Sequence, residues 1–243
     1  MQPSTHPPVA SRLPRLPRRR AILVATAMAL SVAYASIATA QPAATPATQE
    51  EYVPDVGQDG KDVIWVPTPQ TLVDKMLDMA KVTPKDRLMD LGSGDGRTVI
   101  TAAQRGLTAQ GIEYNPDLVE LSRRNAQRAG VADRATFVAA DLFQTDLSKA
   151  DVITMFLLST INEKLRPTLL QLPPGTRVVS NTFRMGDWEP DAAETVTKDC
   201  STYCTALLWI VPAKVEGKWE VDGQTLHLTQ QYQMLSGKLG SAD

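Results

Sequence analysis

The chain has 243 residues, with 25 basic against 27 acidic side chains, two histidines and two cysteines. Residues 1–40 hold five arginines (Arg12, Arg15, Arg18, Arg19 and Arg20) and no acid, so residues 41–243 carry 20 basic against 27 acidic residues, net −7. That balance argues against a nucleic-acid partner, which needs a basic footprint. One histidine beyond residue 40 (His227) and one cysteine pair give neither a metal-ligand set nor a Ser-His-Asp hydrolase.

An uncharged stretch, Ala21 to Ala40, follows the arginines and ends Ala38-Thr39-Ala40. A basic start, an apolar middle and a small-x-small end form the secretory signal pattern. The Arg19-Arg20 pair and the mild hydrophobicity lean towards its twin-arginine variant. The expectation is export, to the periplasm, with cleavage before Gln41. The alternatives are an uncleaved anchor, with membrane contact only through this segment, and a cytosolic protein whose true start codon lies downstream. Residues 41–62 are rich in Pro, Ala, Thr, Gln and Gly and read as a linker or loosely attached arm. Residues 63–243 read as one domain.

Within that domain Leu72, Met76, Met79 and Ala80 have helical spacing, predicting a helix over 69–82. Short apolar strands are predicted at 87–91, 107–113, 135–140, 151–157 and 177–183. Helices are predicted between them at 96–105, 116–129 and 161–172, the last stopped by Pro173-Pro174. Such alternation predicts an open, doubly wound, mostly parallel α/β sheet. Three further strand-like runs, TALLWIVPAKV, KWEVDG and TLHLTQQYQML, predict antiparallel C-terminal strands completing or extending one sheet edge. Cys200 and Cys204, in DCSTYC, are a disulfide candidate given export. Their spacing leaves the pairing open, because an extended chain would hold the sulfurs too far apart without a turn.

The stretch LMDLGSGDGR follows the first parallel strand. Glycines at that turn allow positive φ and let a ligand press against the backbone. Gly92, Gly94 and Gly96 do not match the dinucleotide spacing, whose third glycine comes one residue later. Taken alone the turn is open between a bare turn, a dinucleotide site and another nucleoside site. Glu113 lies 21 positions beyond Gly92 at the end of the second strand, where an acid can accept ribose hydroxyls. Asp141 follows the third strand, placed to accept from an adenine amino group, with Leu142 beside the ring. Acids at three successive strand ends favour a nucleoside site.

As a set, DLGSGDGR, Glu113 in GIEYNP and Asp141-Leu142 resemble the motifs of class I S-adenosylmethionine-dependent methyltransferases, over about residues 65–190. The resemblance implies S-adenosylmethionine as cofactor. Asp90 and the Gly92-Ser93-Gly94-Asp95-Gly96 backbone would hold its methionine part, Glu113 the ribose, and Asp141 with Leu142 the adenine. WVPTP at 65–69, MFLLS after the fourth strand in place of Asn-Pro-Pro-Tyr, and RVVSNTF in the fifth are similar to lysine methyltransferases of the ATP synthase c subunit and adenine nucleotide translocase. Dot1-type enzymes are a more distant likeness. This implies a protein substrate methylated on lysine. The alternatives are a small-molecule methyltransferase and an exported S-adenosylmethionine-binding accessory protein without turnover. Substrate-side candidates are Trp65, Thr68, Phe156, Asn181 and Trp188; none stands out as a general base.

Overall fold

The computed structural model describes residues 52–240. The leader, its cleavage point and the start of the predicted arm lie outside the described residues. In chain order the elements are α1 (Gln70–Met79), β1 (Arg87–Leu91), α2 (Arg97–Gln104), β2 (Thr108–Glu113), α3 (Pro116–Arg128), β3 (Ala135–Ala139), β4 (Val152–Met155), α4 (Ser159–Leu169), β5 (Arg177–Asn181), β6 (Ala192–Thr195), β7 (Thr205–Ile210), β8 (Gly217–Val221), β9 (Gln224–Gln231) and β10 (Met234–Leu239). Boundaries differ from the sequence reading mostly by one to three residues, the range in which helix ends fray.

Seven strands form one sheet in the order β3-β2-β1-β4-β5-β7-β6. The first five are parallel, while β7 runs antiparallel to both β5 and β6. The period-two alternation of buried strands feeds two cores, one on each face. Leu72, Leu77, Val99 and Val119, from α1 to α3, pack with Leu88 and Val152 on one face. Ile161, Leu165 and Leu169 of α4 pack with Leu91 and Ile153 on the other. Strand order reverses between β1 and β4, which leaves a crevice at their carboxyl ends.

The C-terminal strands divide differently from the sequence reading. β7 does complete the main sheet, paired with the unforeseen β6. β8, β9 and β10 form a separate three-stranded sheet. Asp222-Gly223 closes the first hairpin with φ values of 51° and 77°, the primed turn expected of Asp-Gly. The run TLHLTQQYQML is not one strand: it reverses at Tyr232-Gln233, where Tyr232 takes φ 53°. No turn-forming residue marks that reversal. α4 also begins two residues earlier than read and accommodates Pro167 in its exposed last turns, ending at Leu169 rather than running to Leu172.

Trp188 is corrected from a substrate-side candidate to a core residue. It is fully buried against Trp209 and Tyr232, with ring centroids 6.2 and 5.9 Å away. Its indole N–H donates to Gln233 Oε1 at 3.0 Å, and its carbonyl accepts from the Trp209 indole at 2.7 Å. The residue therefore fastens the small C-terminal sheet to the main one.

Candidate functional site

A cleft of about 1040 Å³, counted out to its open mouth, lies over the carboxyl ends of β1, β2 and β4. Six acids line it, and three of them stand at the ends of successive strands. Asp90 is in β1, Glu113 ends β2, and Asp141 follows β3. The fold thus gathers the carboxylates that the sequence had placed at successive strand ends.

Asp90 is the unusual one. It is only 6% exposed, in register with Thr154 of β4, whose hydroxyl donates to Asp90 Oδ1 at 2.7 Å. Among the described residues no cation pairs with it. Burial, only partly opposed by the Thr154 hydrogen bond and reinforced by the charges of Glu113 and Asp95, pushes its carboxyl up to about 7. A buried, unpaired carboxylate fits a ligand that brings its own positive charge. S-adenosylmethionine carries an ammonium and a sulfonium, so the donor set suits it.

Glu113 Oε2 accepts from the Gly94 amide and Oε1 from the Asn115 amide, both at 2.9 Å. Those bonds fix the carboxylate, and each oxygen keeps a lone pair for a ribose hydroxyl. The glycine turn, however, offers few donors. The Gly92 and Ser93 amides both donate to the Ile112 carbonyl, and the Gly96 amide to Ser93. Its contribution to the cleft is the absence of side chains. A Cβ on Gly94 (φ 54°) would sit 2.5 Å from the Trp65 indole nitrogen, and one on Gly92 (φ 76°) 3.1 Å from Leu157. Gly96 does not line the cleft: it opens α2 at φ 83°, pressed against Phe137 and Ser122. Ser93 and Asp95 do line it. Asp95 also forms a 2.6 Å ion pair with Arg97, whose guanidinium donates to the Thr68 carbonyl at 2.9 Å. That link ties the glycine turn to the chain leading into α1.

The described end of the predicted arm is part of the cleft wall. Residues 58–62 line it, and backbone bonds join Gly57 and Gln58 to Trp65. Lys61 pairs with Asp141 Oδ2 at 2.8 Å and stands 4.9 Å above the Tyr114 ring centroid. This ammonium, together with the Phe143 amide, holds the Asp141 carboxyl below its ordinary range. Leu142 lines the cleft beside it, partly buried. No sequence signal marked Lys61, because its partner lies 80 positions away.

Beyond the acids, towards β5 and β7, the wall changes character. Trp65, Thr68 and Phe156 line the cleft; Asn181 is fully buried behind Thr68, donating to its hydroxyl at 3.3 Å. Thr182 has φ 60°, an outlier for a β-branched residue. It turns the chain so that Phe183 lies 6.0 Å from Phe156, centroid to centroid. Tyr203 closes the group at 5.2 Å from Phe156 and 5.7 Å from Phe183. The Cys200–Cys204 disulfide forms across a turn that brings the two Cα atoms to 5.8 Å, which resolves the question their spacing left open. Phe183 and Tyr203 do not line the cleft themselves but extend the ring cluster that Phe156 begins, and the sequence reading did not single them out. Phe183 was visible in RVVSNTF; Tyr203 carried no signal beyond lying between the two cysteines.

Asp90 gives a two-sided test. Its carboxyl is raised in the folded state, so between about pH 4 and 7 the unfolded chain ionises while the folded chain stays protonated. Folding stability therefore falls across that window, by on the order of 4 kcal/mol in all. Asn can still accept from Thr154. Asp90→Asn should raise the denaturation midpoint of the free chain, little at pH 4 and increasingly up to pH 7. The same variant should lose affinity for S-adenosylmethionine and flatten its pH dependence, measured by calorimetry. In the wild type, affinity should fall as pH drops below about 7.

A family model described as the ANTKMT methyltransferase domain matches residues 90–192. A protein-lysine N-methyltransferase of Saccharolobus islandicus is 41% identical over 152 residues, covering 61% of this chain and 94% of the relative. The lysine N-methyltransferase of the ATP synthase c subunit from Xenopus laevis is 32% identical over 184 residues, covering 75% of this chain and 76% of that relative. A solved structure from Salinibacter ruber, described as an RNA methyltransferase in complex with S-adenosyl-L-homocysteine, is 49% identical with a TM-score of 0.58, covering 62% of this chain and 96% of that one. The buried acid, the glutamate fixed at the end of β2 and these relatives converge: the chain belongs to the family of S-adenosylmethionine-dependent methyltransferases that includes these lysine N-methyltransferases.

Proposed function

We propose that the protein transfers the methyl group of S-adenosylmethionine to the side-chain nitrogen of a lysine in a protein substrate. The observation that carries this is the division of the sheet edge: acids stand at the ends of β1 to β3, whereas rings follow β4 and β5 and precede β7, beside neutral amide and hydroxyl groups. When bound, S-adenosylmethionine supplies an electrophilic methyl on a sulfonium. The chain's own residues have to orient the two reactants and exclude water, and positioning of this kind supplies roughly 7–11 kcal/mol in favourable cases. Asp90 and Glu113 fix the donor side. Phe156, with Thr68 held by Asn181, forms the opposite side, where an apolar wall lets a methylene stem lie flat. A lysine arrives as a cation with an ordinary pKa of about 10.4. Desolvation against the rings favours loss of its proton to solvent before attack. The acidic mouth attracts the charged form first.

An RNA acceptor is the second reading, favoured by the description of the Salinibacter relative. The net charge of −7 over residues 41–243 opposes it, since phosphate neutralisation supplies most of the affinity for nucleic acid.

A tritiated methyl donor offered with host protein fractions and total RNA separates the two. Label in protein that survives ribonuclease, and disappears when lysines are blocked beforehand by acetylation, is the expected result. Label confined to RNA would overturn the lysine reading.

The Cys200–Cys204 disulfide supports an oxidising compartment, and with it the export read from the leader. Amino-terminal sequencing of protein taken from the periplasm should then give a first residue at or near Gln41. An intact Met1 in a cytosolic fraction would contradict export.

A further inference from the structure

Three rings occupy the carboxyl-side edge of the sheet beyond the donor acids. Phe156 follows β4, Phe183 follows β5 and Tyr203 precedes β7. Their centroids are 5.2 to 6.0 Å apart, the spacing of rings in direct contact. No ammonium fits between rings so close, so the trio is a platform and not a cage around a cation. Phe156 faces the cleft, Phe183 is half-buried, and Tyr203 is 42% exposed. A platform half open to solvent beside the reacting centre can be covered by an aliphatic stem.

Tyr203 reaches it at a conformational cost. Its φ is 56°, and Asp199, at the other end of the same turn, has φ 53°. A left-handed conformation costs a non-glycine residue about 1–2 kcal/mol, so a free loop would relax away from it. Two constraints prevent that. The Val196 amide donates to the Cys204 carbonyl at 2.9 Å, continuing the β6–β7 ladder to the base of the loop. The disulfide then joins Cys204 to Cys200 across Ser201, Thr202 and Tyr203. The ring of Tyr203 is thereby held one residue from a covalent tie.

We propose that Tyr203 binds the methylene stem of the acceptor lysine as the outer wall of the Phe156–Phe183 platform, and that the Cys200–Cys204 disulfide acts as its positioning device. This rests on the lysine reading of the site. The disulfide touches neither acceptor nor donor; its effect on the acceptor passes entirely through Tyr203, and neither group affects donor binding.

Steady-state methylation of a short, end-capped, glycine-flanked lysine peptide by the full chain tests this. Tyr203→Ala should raise the peptide KM, roughly fourfold for each methylene left uncovered, with kcat and S-adenosylmethionine affinity unchanged. Tyr203→Phe should restore the wild-type KM. A dithiol reductant gives two electrons and two protons to the disulfide, leaving two thiols and its own cyclic disulfide. That treatment, or Cys200→Ser with Cys204→Ser, should raise KM in the wild type and leave Tyr203→Ala unchanged, because the two changes act through one contact. Thermal melts check that each variant is folded. Equal effects of reduction on wild type and Tyr203→Ala, or a change in donor affinity, would overturn the proposal while leaving the lysine reading intact. A wild-type KM indifferent to both changes would do the same. No turnover of the peptide by the wild type would overturn this proposal, whereas the lysine reading falls only if the tritium label is confined to RNA.

Discussion

One buried carboxylate sets the terms for the rest of the site. Asp90 sits where the two halves of the parallel sheet part, at a position whose period-two neighbour Leu88 is core. Among the described residues its side-chain hydrogen bond comes from Thr154, the residue directly opposite on β4. An acid so placed opposes folding at neutral pH. The apolar faces around it, from Leu72 and Leu77 to Val99 and Val152, offset that cost. A bound cation removes it. Strain of this kind is retained where it serves a ligand, and the surrounding acids, Glu113 and Asp95, deepen the same negative field.

The other parts follow from keeping that carboxylate facing a cleft. Bare glycines at 92 and 94 keep the floor clear where side chains would collide with Leu157 and Trp65. Arg97 bridges Asp95 to the Thr68 carbonyl, so the chain before α1 is held over the turn and Thr68 is set beside Asn181. Acids stand at the ends of β1 to β3, while rings follow β4 and β5 and precede β7. The same edge therefore presents carboxylates on one side and aromatic rings on the other, as the proposed donor and acceptor sites require.

Much of the donor half was legible in the sequence, because strand periodicity fixes which residues reach the strand ends. Asp90, Glu113 and Asp141 each fall at the end of an apolar run, and helix caps and glycines bound those runs. The proposed acceptor half was legible only in part. Thr68 and Asn181 were named, but their hydrogen bond joins positions 113 residues apart, which no local pattern carries. Trp188 was misplaced, since a tryptophan after a strand reads alike as lid or core until its neighbours are known. Tyr203 was hidden because its place depends on two left-handed residues and a disulfide. The Tyr232-Gln233 reversal escaped for a related reason: its positive φ falls on a tyrosine, not on glycine or asparagine. Lys61 lay in a segment whose composition suggested only a linker.

The claim at the centre is that Asp90, with no cation beside it among the described residues, is kept buried for one that a ligand brings. Carbon-13 NMR of the labelled Asp90 side chain, titrated with and without S-adenosylhomocysteine, tests it most directly. The account predicts a midpoint near 7 in the free protein. It should fall by a unit or more once the ligand's ammonium is bound. A free midpoint near 4, or one that the ligand leaves unmoved, would contradict it.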